Sequence, residues 1–154
     1  MGPTLWSTNR RRGLKNPDIN YWAVLLATLS SMVVGSIWYT PRVFGNYWMK
    51  QANITPSGNA KDALWPIVIT VIVSFITAWV LAGAAFISLD FYGGSFFLNT
   101  LVTAIILWAG FTAARFITHD AFDGRPAGLT VLNIAHEFVT IVIMAIIIGV
   151  WPPA

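Results

Sequence analysis

Arg115, His119, Asp120, Asp123, His136 and Glu137 are the side chains in this sequence whose types and spacing could do chemistry. The first four close one apolar stretch, and the last two sit side by side within the next. A charge at the centre of a membrane helix costs about 2.5–3.5 kcal/mol on an insertion scale, so each such group needs a physical reason. Glu137 lies roughly 12 Å deep if its helix starts near Leu129 and rises about 1.5 Å per residue. Arg115 ends the preceding helix, and the short turn between them makes the two helices antiparallel neighbours. Arg115 can therefore reach toward Glu137, and a structural ion pair is the plainest expectation. The planar donor fork of arginine suits such a pair, and losing one partner would leave a buried charge uncompensated.

The sharper expectation gathers His119, Asp120, Asp123, His136 and Glu137 into a metal or proton site. Imidazole and carboxylate suit Zn, Mn or Fe, and His119 and Asp123 share a face if the helix continues through them. Two features count against a metal. Adjacent His136 and Glu137 point about 100° apart on a helix, and neither an HExxH pattern nor a second histidine at helical spacing from His136 is present. The other form of such a site is a proton relay through His136 and Glu137, because histidine titrates near neutral pH and burial raises a carboxylic acid toward it.

The elements that must position these groups are membrane helices. The chain has 154 residues, of which 56% are hydrophobic and 10% charged, and its mean hydropathy is +0.68. That balance excludes an ordinary soluble domain. The absence of cysteine excludes disulfides, thiolate metal ligands and a cysteine nucleophile. The formal charge of +3 sits mostly in the N-terminal tail and first loop, where anionic headgroups are the natural partner, and no basic surface is left for nucleic acid.

Residues 1–19 read as a juxtamembrane tail carrying Arg10, Arg11, Arg12 and Lys15, and residues 20–151 as a four-helix membrane domain. The spans are expected at 20–39, 64–88, 97–117 and 129–150, close to the roughly 20 residues that cross a hydrocarbon core. The basic tail followed by an apolar run resembles a signal peptide, or an incomplete twin-arginine signal. No small-residue cleavage site follows Val34, so an uncleaved first span is expected. Pro41 ends the first span, after which Val43, Phe44, Tyr47 and Trp48 share one side of a short helix lying in the interface. Trp38, Tyr39, Tyr47 and Trp48 would mark the membrane surface there.

Four spans put both termini on one side. The dense arginine run favours a cytoplasmic location for them, although Arg42, Lys50, Lys61 and Arg125 on the other side leave little charge asymmetry. Ser31 and Gly35, Ala78 and Ala82, Gly110 and Ala114, and Ala145 and Gly149 are each four apart, the spacing that lets membrane helices approach closely. Trp38, Trp65, Trp79, Trp108 and Trp151 serve as belt or packing residues, or line a pocket for a lipid, quinone or pigment.

The run Gly35-Ser36-Ile37-Trp38-Tyr39, then Pro41, Phe44-Gly45 and Trp48-Met49, resembles the small bacterial membrane proteins grouped as domain of unknown function family 1761. Trp108-Ala109-Gly110-Phe111, Phe122-Asp123-Gly124-Arg125-Pro126 and Leu132-Asn133 resemble the second half of that pattern. The resemblance implies an all-α integral membrane protein of four spans in the bacterial cytoplasmic membrane, and brings no activity or cofactor with it. The lack of a catalytic constellation favours a small accessory or binding bundle for a lipid-like molecule or a partner membrane protein. An oligomeric transporter or proton-coupled carrier using Glu137 is the alternative, and a metal-dependent membrane enzyme using His119 and His136 is the third.

Overall fold

The computed structural model describes residues 17–55 and 61–153. The basic tail with Arg10, Arg11, Arg12 and Lys15 lies outside the described residues, as do Pro56, Ser57, Gly58 and Asn59 of the first loop. Among the described residues there is no strand. The helices are α1 (Tyr21–Trp38), α2 (Gly45–Ala52), α3 (Lys61–Tyr92), α4 (Phe96–Phe122) and α5 (Ala127–Val150). All except α2 are long and apolar enough to cross a membrane. This is the expected all-α bundle of four spans, with a short helix after the first.

Local chemistry sets the helix ends. The Asn20 side chain accepts from the backbone N–H groups of Trp22 and Ala23 at 3.1 and 3.2 Å, which caps α1. Its amide donates to the Trp151 carbonyl at 3.3 Å and ties the start of α1 to the end of α5. Helix α3 runs on through Asp90 to Tyr92 and stops at Gly93. Asn99 clamps the turn that follows: its amide donates to the Gly93 and Ser95 carbonyls, and its oxygen accepts from the Ser88 hydroxyl. Helix α4 ends at the Asp123 cap in a paired set of bonds, from the Arg125 N–H to the Asp120 carbonyl and from the Gly124 N–H to the Ala121 carbonyl. That closure needs a left-handed residue just past the cap, and Gly124 supplies it at φ 65°.

The long helices pack in a ring, α1 on α3, α3 on α4, α4 on α5, and α5 back on α1. Packing is dense in the half of the bundle that holds the start of α1 and the end of α5. Ala23, Val24, Ala27, Ala78, Leu81, Ala82, Ala104, Met144, Ala145 and Ile148 are buried together there. Small side chains let the backbones close in, since lipid offers no hydrophobic drive between helices. At Gly149 an added Cβ would lie 3.0 Å from the Phe97 ring and 3.1 Å from its Cα, so this position of the Ala145–Gly149 pair lets α4 approach α5 closely.

The other half opens. Every residue of α3 from Lys61 to Val73 is exposed. Helix α4 carries a π-helical turn over Trp108–Ala113, in which the Ala114 N–H reaches back to the Ala109 carbonyl. The wider turn shifts the register of α4, and Gly110 and Ala114, a helix-approach pair in sequence, are both exposed.

A folded corner roofs the open half. The chain doubles back after α1 through bonds from the Phe44 N–H to the Trp38 carbonyl and from the Gly45 N–H to the Thr40 carbonyl. The Phe44 ring lies 4.6 Å from that of Trp38, and the Trp48 ring 5.4 Å from that of Tyr39. Gly45 is buried against the backbone of Tyr39 and Thr40, where any Cβ would collide. Gly45→Ala is therefore expected to lower stability by about 1–3 kcal/mol, the usual range for overpacking. Gly110→Ala, whose methyl meets nothing within 4 Å, should stay within about 0.5 kcal/mol of the parent. Thermal unfolding of both variants in detergent checks the contrast.

Candidate functional site

Beneath this roof lies a cavity of about 540 Å³. Helix α1 contributes Ser31, Met32 and Gly35, with Tyr39 just past its end; α3 contributes Thr70, Val73, Ser74 and Thr77; the π turn of α4 contributes Trp108 and Thr112; α5 contributes His136, Glu137, Thr140 and Met144. The wall is mostly apolar, so its polar atoms matter.

Hydroxyls in the long helices normally satisfy themselves. Thr28, Thr70, Thr77, Thr100 and Thr118 each donate to the carbonyl four residues back, at 2.7–3.0 Å. Thr140 does not: its hydroxyl is buried without a partner. One turn earlier on α5, His136 Nε2 is buried without a partner as well. It faces α1 at Gly35, where a Cβ would sit 3.7 Å away. The other ring nitrogen, Nδ1, lies 3.4 Å from Glu137 Oε1. A proton on Nδ1 turned toward that carboxylate leaves Nε2 a lone pair in the neutral ring, and an N–H in the imidazolium.

The His136 ring is held by aromatic neighbours, Trp38 at 5.8 Å and Tyr39 at 5.0 Å between centroids. A third buried, unpartnered atom, Trp38 Nε1, belongs to this aromatic set. The Tyr39 hydroxyl donates to Asn133 Oδ1 at 3.4 Å. On the opposite wall the Trp108 indole donates to the Ile134 carbonyl at 3.1 Å, with its ring 4.7 Å from that of Phe138. The π turn thus sets Trp108 against α5.

A second cavity, of about 640 Å³, lies between the end of α2 and the α4–α5 turn. Trp48, Asn53, Phe116, Arg125 and Asn133 line it, and Tyr39 and Glu137 line both cavities. Glu137 therefore stands at the boundary between an inner, mostly apolar space and an outer, polar one.

The six sequence candidates separate into two groups. His136 and Glu137 are at the cavity, while Arg115 is exposed on α4 and forms no ion pair with Glu137 among the described residues. The partner that Glu137 does have is its neighbour, which its flexible chain reaches despite the angle between adjacent helical positions. Asp120 is buried and holds the α4–α5 turn, accepting from the Thr130 hydroxyl at 2.7 Å and facing Arg125 Nε at 3.6 Å. Asp123 faces the same Nε at 3.5 Å. His119 is exposed in the last turn of α4. Among the described residues no three His, Asp or Glu side chains gather so as to hold a metal ion.

Thr140, Ser74 and Gly35 were not singled out as site residues by sequence. Thr140 follows His136 by four, and that spacing on a helix carrying an ionisable group is the signal that could have found it.

A family model described as a protein of unknown function (DUF1761) matches residues 22–149. No curated protein and no solved structure matches the chain.

The division of labour between these residues gives a contrast to measure. Asp120→Ala leaves the Thr130 hydroxyl without its acceptor and Arg125 with Asp123 alone, and should cost about 1–3 kcal/mol. Arg115→Gln removes an exposed charge and should change stability by less than about 0.5 kcal/mol. Chemical unfolding in mixed micelles, followed by tryptophan emission, compares the two.

Proposed function

The chain belongs to the DUF1761 family of proteins of unknown function, and we propose that it is a small membrane-embedded binding protein for an amphiphilic, lipid-like molecule. The observation that carries this is the pairing of a cavity of about 540 Å³ with two buried, unpartnered polar atoms on its lining residues, His136 Nε2 and Thr140 Oγ1. A buried polar atom left without a hydrogen bond costs about 1–3 kcal/mol, and a ligand that satisfies both recovers that energy on binding. The size is that of small-molecule sites, which pair apolar walls with a few polar groups that fix orientation.

In this reading the apolar body of the ligand lies against Val73, Trp108 and Met144, and its polar end meets His136 and Thr140. The open half of α3 gives it a lateral way in from the bilayer. The protein sits in the cytoplasmic membrane of a bacterium with both termini on the cytoplasmic side. A second reading, a carrier that uses Glu137 as its protonatable group, draws on one observation: Glu137 and Tyr39 border both the inner and the outer cavity.

Native mass spectrometry of the protein released gently from its own membranes tests the binding reading. The wild-type protein should carry an amphiphile adduct. Ser74→Phe, which fills the cavity floor, and His136→Leu, which removes the polar anchor, should each lose it while running as folded protein in size exclusion. A wild-type protein that is bare under conditions that keep other lipid contacts intact contradicts the reading.

A further inference from the structure

Glu137 gives the ligand a charge. Within a membrane helix a carboxylate is expected to be paired with a cation. Among the described residues no lysine or arginine makes an ion pair with Glu137; its contact is with His136 Nδ1 at 3.4 Å. Arg125, which shares the outer cavity with it, is already turned to Asp120 and Asp123 at 3.6 and 3.5 Å. Arg115 is exposed and unconnected to it. Among the described residues Glu137 is also the one carboxylate bordering the inner cavity.

Aromatic residues share both cavities with that carboxylate, whose side chain is 42% exposed. Tyr39 and Trp108 line the inner cavity with Glu137, and Tyr39 and Trp48 line the outer one with it. The electron-rich faces of such rings attract cations, most strongly where water is excluded. A carboxylate without a lysine or arginine partner among the described residues, sharing an apolar cavity with aromatic residues, matches a molecule with an apolar body and a positive centre. An anionic amphiphile would meet the Glu137 charge at that mouth.

From this geometry we infer that the ligand is a lipophilic cation, with its positive centre against Glu137 and the ring of Tyr39 and its apolar body in the inner cavity. This rests on the binding reading above and narrows it to one class of amphiphile.

The test is saturable binding of tetraphenylphosphonium and of tetraphenylborate to the full-length protein in detergent, each corrected for empty micelles. The two ions share a shape and differ in the sign of their charge. The cation should bind saturably and the anion should not, and Glu137→Gln should weaken the cation at least tenfold while Arg115→Gln leaves it unchanged. Equal saturable binding of the two ions, or cation binding indifferent to Glu137→Gln, overturns the inference. The comparison of the ions needs no variant, so a Glu137→Gln protein that fails to fold still leaves a decisive result. If neither ion binds while the wild-type protein carries an amphiphile adduct, the cation inference falls and the binding reading stands; if neither ion binds and there is no adduct, both fall.

Discussion

A polar atom inside a membrane bundle must find its partner within the protein, because hydrocarbon supplies none. Most of this structure obeys that constraint through short, local bonds. Threonine hydroxyls turn back onto their own helices, Asn20 joins the first helix to the last, Asn99 clamps one turn and Asp120 the next. Against that background the exceptions stand out by position. Of the three among the described residues, His136 Nε2 and Thr140 Oγ1 lie one turn apart on α5, beside the same cavity, and Trp38 Nε1 belongs to the aromatic set around His136.

The cavity follows from an uneven distribution of side-chain size. Alanines at 23, 27, 78, 82, 104 and 145 draw the four long helices together in one half. In the other half the first turns of α3 carry Trp65, Ile67, Ile69 and Ile72, all exposed, and no comparable stripe of small residues. A cavity remains between the helices there, and the π turn of α4 places Trp108 on its wall against α5. The folded corner after α1 closes the top, with Gly45 allowing the chain to press against its own backbone. The residues on which the family resemblance rests meet here: Trp38, Tyr39, Phe44, Gly45 and Trp48 build the corner, Trp108 the wall, and Asp123 to Pro126 the turn beside it.

Much of the fold was legible because the bilayer imposes it. Runs of about 20 apolar residues, broken by Pro41, Gly93-Gly94 and Gly124, gave the number, order and approximate bounds of the long helices. Their ends were less legible: α4 continues through Ile117 to Phe122, because the signal that stops it is the left-handed Gly124 and not the polarity of His119 and Asp120. The π turn left no mark in the hydropathy pattern. Of the site, His136 and Glu137 could be found because charge inside a span is rare. Their partners could not, since Arg115 and Glu137 face different surroundings once the register of α4 is fixed. Thr140 was hidden among threonines of the same type, and what distinguishes it is an unmade bond that only coordinates reveal.

One half of the bundle is closed and the other holds an accessible cavity. The chain contains no cysteine, so single cysteines report on this cleanly. The most direct measurement is the rate at which a small neutral maleimide modifies Ser74→Cys and Thr140→Cys, compared with Ala82→Cys and Ala145→Cys on the same two helices. All four positions are buried, but only the first two border the cavity. The account predicts that the cysteines at 74 and 140 react and those at 82 and 145 stay protected. Equal protection of all four would contradict it.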